Sequence, residues 1–350
     1  CGIIWFRGEI YLILEIHTNQ AMKHVIIPDA PGCVRRLPFY LAAEEWVARN
    51  LPRGEYFFTW VVDPTVIFGR NQLIDAEVDL DYCRAHGIQT YRRRSGGGCV
   101  FADRDNIMIS YITWRTDIGP TFARYTEIVA RMLRKLGLDA SSSGRNDVLI
   151  GNRKVSGNAF YHLPGRSIAH GTMLYSTNVE HMLHAITPSR SKLESKQVQS
   201  VASHITTIKE HLPELPFDDF RAHIINEICD EEPITLSPEQ IAGIELTEQE
   251  YYRHEWIFGR KGVAAKSRKR IDGVGEFMAD VDCDSDGRIR RVNLGGDFFL
   301  LSDLDSGLLD RLRGAPLTRR GLEEALGDTD AGMVIHGLTN EQLIELIINS

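Results

Sequence analysis

The sequence predicts an α+β fold, with a mainly antiparallel sheet flanked by helices and a smaller α+β domain toward the C-terminal end. Three observations carry that expectation. Strand-like and helix-like segments interleave without a regular βαβ rhythm, which disfavours a doubly wound parallel sheet. The 350 residues are more than twice the roughly 150 of a usual domain, so two cores are expected. After Trp256-Ile257-Phe258-Gly259 the composition shifts to a basic run, Lys266-Ser267-Arg268-Lys269-Arg270, which marks a boundary. The expected organisation is an extension at 1–21, a larger domain at 22–256 and a small accessory domain at 257–350.

The opening segment stands apart because Met22-Lys23-His24-Val25-Ile26-Ile27-Pro28-Asp29 reads as a fresh start running into a strand. Residues 1–21 are therefore expected to be an extension that need not pack, with an extra N-terminal strand as the structural alternative. Their apolar stretch is broken by Arg7, Glu9 and Glu15, too short and too charged to span a bilayer. Leu41, Ala42, Trp46 and Val47 at helical spacing predict a helix at 37–49, and aromatic and β-branched runs predict strands at 56–62 and 65–68. A helix closed by Gly87 is expected at 78–86, strands at 89–92, 99–101 and 106–113, and a periodic helix at 120–136 that stops at Gly137. Strands at 147–150, 155–161 and 167–175 follow, then helices at 179–185, 218–229 and 238–253. In the small domain, strands at 275–282 and 288–294 surround the Asp284-Ser285-Asp286-Gly287 turn, ahead of helices at 304–312, 320–326 and 341–348.

Composition narrows the class without naming a chemistry. Hydrophobic residues at 43% and charged residues at 25% are ordinary globular values and exclude fibrous and disordered classes. A balance of 40 basic against 48 acidic side chains argues against a nucleic-acid coat. Six cysteines without a CxxC pair fit a reducing cytoplasm, and no segment reads as a membrane span.

Three runs carry chemistry. In Tyr91-Arg92-Arg93-Arg94-Ser95-Gly96-Gly97-Gly98-Cys99-Val100-Phe101 a strand ends in arginines, passes a triple glycine and re-enters a strand. Glycines let backbone N–H groups converge on an anion and guanidiniums add phosphate contacts, so an anion site outweighs a flexible hairpin turn. In Gly144-Arg145-Asn146-Asp147 through Arg153-Lys154-Val155-Ser156-Gly157-Asn158, two strands joined by a Gly-Asn turn put Lys154, Ser156 and Asn158 on one face, a polar file suited to a cleft. The third run, Arg166-Ser167-Ile168-Ala169-His170-Gly171-Thr172, holds a histidine without metal-spaced partners, which reads as structural or pocket-lining.

Together these runs resemble the lipoate-protein ligase family from about Met22 onward. Arg92-Arg93-x-Ser95-Gly96-Gly97-Gly98 is similar to its RRxSGGG loop, Gly69-Arg70-Asn71-Gln72 to its GRxQ turn, and Gly144-Arg145-Asn146-Asp147 with Arg153-Lys154-Val155-Ser156-Gly157 to its GRND and RKxSGxA pair. His170-Gly171-Thr172 resembles the tail of its HHGTLL strand, and Lys192, Leu193 and Lys196 fall in its KLxxKG loop. Departures from the pattern stand at Cys99, Ala102, Ala169, Gln197, Ala202 and His204. The resemblance implies a biotin/lipoate ligase-like fold, ATP-dependent activation of lipoate, or of octanoate, to an acyl adenylate, and transfer to a lysine of a lipoyl-acceptor domain. Implied acceptors are 2-oxoacid dehydrogenase acyltransferase subunits and glycine cleavage H protein, with neither nucleic acid nor membrane as partner. It implies ATP contacts at Arg93, Gly98, Cys99, Val100, Phe101 and Lys154, lipoate contacts at Lys154, Ser95, Gly97 and His170, and Mg²⁺ on the phosphates with Asp147 as a ligand. Val155, Ala159 and Met173 are candidates to line a dry acyl slot. Two other readings stay open: a transferase of the same fold with Cys99 as nucleophile, and a non-catalytic protein that binds nucleotide or lipoyl domains.

Overall fold

The computed structural model describes the backbone of residues 2–6 and 9–13, and residues 21–29, 35–143, 146–177, 179–186, 204–258 and 268–350. Gly144, Arg145, Lys192, Leu193, Lys196, Gln197, Ala202, Gly259 and Lys266 lie outside the described residues. Strands β1 (Gly2–Phe6) and β2 (Glu9–Ile13) form an antiparallel hairpin that joins no other described strand. The larger domain then runs β3 (Met22–Ile26), helix α1 (Leu37–Asn50), β4 (Glu55–Trp60), β5 (Thr65–Phe68), α2 (Ile74–Glu77), α3 (Leu80–Ala85), β6 (Gln89–Arg92), β7 (Val100–Ala102), β8 (Asn106–Thr113) and α4 (Ile118–Lys135). It continues through β9 (Ala140–Ser142), β10 (Asp147–Ile150), β11 (Arg153–Leu163), β12 (Arg166–Leu174), α5 (Val179–Ala185), helix Phe217–Ile228, β13 (Glu231–Thr235) and helix Pro238–Tyr252.

Eight strands form one sheet in the order β13-β3-β4-β8-β12-β11-β10-β9, antiparallel except where β3 pairs in parallel with β13 and β4. Its central strands are buried on both faces. Phe58, Trp60 and Ile112 belong to the core on the side of α1 and helix Pro238–Tyr252, while Phe57, Tyr111 and Met173 belong to the core on the side of α4 and helix Phe217–Ile228. Three-stranded β6-β5-β7 is a second, smaller sheet whose residues pack into the α1-side core. The expected helix at 78–86 is shorter, because the Asp79 carboxylate accepts from Tyr82 N at 2.8 Å and caps α3 at Leu80.

The basic run, read in the sequence as a boundary, enters strand β14 (Arg268–Ile271), which pairs with β15 (Gly275–Cys283), itself paired with β16 (Ile289–Gly296). Phe277 and Phe298 stack at 4.8 Å in the core of this small domain, with Leu322 and Leu343 from helices Arg319–Leu326 and Asn340–Ile348. The segment expected to be helical at 304–312 is helical throughout, with a π-helical stretch, Asp305–Leu309, running into an α-helical turn, Asp310–Leu312. Among the described residues no helix is long and apolar enough to cross a membrane.

The small domain meets the larger one through main-chain groups, the Arg268 side chain and the Phe299 ring, which stacks on Phe160 at 5.5 Å. Gly296 N donates to Asn71 O at 2.9 Å, Gly97 N to Phe298 O at 3.2 Å, and Arg268 Nη2 to Ala76 O at 3.2 Å. At this seam burial pushes the Glu77 carboxyl up to about 7, with Arg268 opposing and Glu276 and Asp297 assisting the rise. A carboxyl raised from 4.5 binds its proton more tightly in the folded state. Its contribution to stability is therefore present below about pH 4.5 and lost as pH rises through about 7. Glu77→Gln is expected to raise the unfolding free energy at pH 8, read from urea titration, by about 1–2 kcal/mol once partial solvent screening is allowed for, and to leave it nearly unchanged at pH 4.5. Equal shifts at both pH values would remove the assignment.

Candidate active site

The arginine-glycine run links β6 to β7, which do not pair with each other but flank β5 on either side. It is therefore a bridge across the end of β5 instead of a hairpin turn. Arg93 braces this bridge from below. Its Nε donates to Ser95 Oγ at 2.9 Å, Nη1 to Ile67 O at 2.9 Å, and Nη2 to Gly96 O at 2.6 Å and Gly98 O at 2.8 Å. Burial pushes the guanidinium down to about 10, which leaves it charged at neutral pH. Arg92 ties two motifs together: Nη1 donates to Gly69 O, Arg70 O and Gln72 O, while Nε and Nη2 donate to Trp256 O and Ile257 O. The GRxQ turn is thus fastened to the segment that precedes the small domain.

Ser95 lies beneath the bridge, fully buried. Its oxygen sits 2.7 Å from His170 Nε2, and His170 Nδ1 sits 2.9 Å from Glu44 Oε2. Arg93 Nε can only donate to Ser95 and Glu44 can only accept from His170 Nδ1–H, so His170 links the bridge to helix α1. Ser110 Oγ donates to Glu44 at 2.5 Å and accepts from Trp60 Nε1 at 2.8 Å, which completes the chain. Glu44 is a residue the sequence reading missed. Its signal was present: three residues from Leu41 and from Val47, it sits on the buried face of α1.

Lys154 enters β11 beside the hairpin turn, and its Nζ lies 2.7 Å from Asp147 Oδ1. A Cβ on Gly157 would stand 2.8 Å from Lys154 Nζ and Cε, so only glycine there lets the ammonium fold over the strand. Asn158 holds the neighbouring loop, with its Nδ2 donating to Asn146 O at 2.9 Å and its Oδ1 accepting from Tyr125 OH at 3.0 Å and Ser156 Oγ at 3.2 Å.

These parts enclose a cavity of about 240 Å³. One row of the sheet forms its floor, because Trp60 pairs with Met108, Met108 with Thr172, Thr172 with Gly157 and Gly157 with Asp147. At roughly 4.8 Å per strand the row spans about 19 Å. It grades from an apolar end at Trp60 and Met108 to a charged end at Asp147 and Lys154. Of the residues predicted from sequence, Arg93, Gly97, Gly98, Cys99, Val100, Asp147, Lys154 and His170 line this space. Ser95 does not, being held under the bridge, and Phe101 does not, because alternation in β7 turns its ring into the α1-side core. Of the slot candidates Ala159 lines the cavity, whereas Val155 and Met173 face the α4-side core. The small domain adds Arg270, Asp297 and Phe299 to the wall, residues that carry no site signal in the sequence beyond the basic run.

Cys99 is poorly suited to attack an acyl group. Burial pushes its thiol far above the usual range, with the Glu77 carboxylate adding to the rise, and its Sγ lies 3.4 Å from Gln72 Oε1. Cys99→Ala is expected to retain acyl activation within about threefold of the parent, followed as lipoate-dependent pyrophosphate release. A dead Cys99→Ala variant with an unchanged fold would restore the cysteine transferase reading.

The chain is similar to known proteins along most of its length. Residues 37–229 match the model of the lipoyl protein ligase A/B catalytic domain, and residues 263–347 match that of the bacterial lipoate protein ligase C-terminus. The chain is 33% identical to lipoate-protein ligase 1 of Staphylococcus aureus over 88% of this chain and 95% of that one. It is 30% identical to the lipoate-protein ligase LplJ of Bacillus subtilis, again over 88% and 95%. Among solved structures it is similar to an archaeal lipoylation system from Thermoplasma acidophilum, a bi-partite lipoate protein ligase with its E2 lipoyl domain. There the TM-score is 0.61 at 25% identity, covering 70% of this chain and all of that one.

Proposed function

The chain belongs to the lipoate-protein ligase family, and from that premise we propose that it activates lipoate with ATP and passes the lipoyl group from lipoyl-AMP to a lysine of a lipoyl-acceptor domain. The observation that carries this reading is the graded floor of the cavity. An acyl chain laid along the row buries its apolar end against Trp60 and Met108 and brings its carboxylate to Lys154. Lipoate fits that polarity, as does octanoate. The Thermoplasma relative, described with its E2 lipoyl domain, supports an acceptor of the same class, the acyltransferase subunits of 2-oxoacid dehydrogenases, and glycine cleavage H protein extends it.

Activation requires a carboxylate oxygen to bond to the α-phosphorus of ATP while the bond from that phosphorus to pyrophosphate breaks. Two anions must meet, and the Lys154 ammonium, delivered by Asp147 and given room by Gly157, lowers their repulsion and stabilises the charge of the in-line transition state. In the second step the acceptor amine bonds to the acyl carbon, the carbon–oxygen bond to AMP breaks, and the amine proton goes to solvent. Ser95, His170 and Glu44 hold the bridge in place. Among the described residues no three metal-ligating side chains converge, and Mg²⁺ commonly needs only one or two protein carboxylates beside substrate phosphates, so Asp147 fits as its ligand. Asp147 would hold the ion against the phosphates, where it would supply neutralisation of their charge.

The test is pyrophosphate release with ATP, Mg²⁺ and lipoate, with and without a lipoyl domain. Lipoate-dependent release, and a lipoylated lysine only when the domain is present, is the expected result. Binding of ATP or of the lipoyl domain without turnover would favour a non-catalytic binding protein.

A further inference from the structure

Arg270 comes from the small domain yet lines the same cavity as Lys154. Strand alternation sets its direction. In β14, Lys269 and Ile271 share one face and Arg268 and Arg270 the other. Ile271 is buried in the small-domain core, whereas Arg268 reaches the larger domain through its bond to Ala76 O, so Arg270 stands on the face that looks across the seam. The charges beside it are taken: Arg268 pairs with Glu276 at 3.0 Å and Lys269 with Glu345 at 2.9 Å. Asp297, the small-domain carboxylate on the cavity wall, accepts from Glu276 N at 2.5 Å. Among the described residues no hydrogen bond or ion pair engages the Arg270 side chain.

A guanidinium in a cavity wall with its fork unclaimed is matched in geometry to phosphate oxygens, which it binds bidentately. Lys154 already serves the point where carboxylate and α-phosphate meet. We propose that Arg270 binds the β- and γ-phosphates of the nucleoside triphosphate, so that the small domain contributes the cation on the departing pyrophosphate. This rests on the adenylating reading above. In the first step the bond from the α-phosphorus to the bridging oxygen breaks and negative charge gathers on the leaving group; Arg270 stabilises that charge. Once pyrophosphate is gone the side chain has lost its ligand, and acyl transfer from the adenylate proceeds without it.

The experiment compares Arg270→Gln, Arg270→Lys and, as a charge-loss control, Lys269→Gln in the full-length protein. Measured quantities are the KM for ATP in lipoate-dependent pyrophosphate release, inhibition by added pyrophosphate, AMP affinity, and transfer from preformed lipoyl-AMP to a lipoyl domain. Arg270→Gln is expected to raise the KM for ATP at least tenfold and to weaken pyrophosphate inhibition in step. AMP affinity and transfer should stay within twofold of the parent, Arg270→Lys should recover part of the loss, and Lys269→Gln should behave as the parent. An unchanged KM for ATP overturns the proposal, and so does a parallel loss of AMP affinity, which would place the contact on the nucleoside end. If the parent protein itself releases no pyrophosphate with lipoate, the adenylating reading fails instead.

Discussion

Replacing Lys154 with alanine is expected to reduce lipoate-dependent pyrophosphate release at least about 10²-fold while leaving the melting temperature nearly unchanged. The ammonium is more than a third exposed, lies on a strand at the cavity wall, and pairs with an Asp147 carboxylate that water can solvate when the lysine is gone. The fold therefore loses little. The reaction loses the one charge at the point where carboxylate and α-phosphate converge. Lys154→Arg should not restore the rate, since a planar fork cannot occupy the compact space over Gly157. Near-normal turnover in Lys154→Ala would end the mechanism proposed above.

Arg93→Ala is expected to have the opposite signature, with stability and activity falling together. Sequence reasoning treats this arginine as a phosphate contact. In the structure its donors are spent on Ser95, Ile67, Gly96 and Gly98, all within the bridge that crosses β5. Removing it strands several buried acceptors at once, at a cost of about 3 kcal/mol or more. ATP and lipoate affinity should both drop, because the bridge carries His170's partner Ser95 as well as the glycines on the cavity wall. Arg93→Lys should rescue neither, as one ammonium cannot span four acceptors. A variant with normal urea stability and a selective loss of nucleotide affinity would return Arg93 to direct phosphate binding.

Much of the fold was legible because its signals are local. The Gly-Asn turn between β10 and β11, the periodicity of α4 and the acidic turn between β15 and β16 each sit within one unbroken stretch of at most 18 residues. What the sequence hid depends on pairing across distance. The parallel edge of the large sheet arises from β3 meeting strands far along the chain, Met22 pairing with Glu55 and Lys23 with Glu231, and nothing local announces it. The bridge over β5 looked like a hairpin because β6 and β7 are neighbours in the chain, though β5 lies between them in space. The candidate site was half legible. Lys154 and Asp147 were named from their run, but their place at one end of a graded row follows from register across five strands. Glu44 and Arg270 reach the site from a helix and from the small domain, each outside the motif runs.

The seam between the two cores combines main-chain bonds, Gly97 to Phe298 and Gly296 to Asn71, with the Arg268 guanidinium on Ala76 O and the Phe299 ring stacked on Phe160 at 5.5 Å. Unlike the Phe299 stack, the main-chain part of this recognition uses groups identical in every protein, so it is indifferent to the side chains that carry it. What it does demand is clearance, since a Cβ on Gly96 would come within 2.3 Å of the Phe298 carbonyl oxygen. That part of the joint behaves as a standard coupling, insulated from sequence drift as long as the glycines persist, while the aromatic stack is particular to this pair of domains. A small domain borrowed from a divergent relative needs a turn of the same shape and a ring placed to meet Phe160.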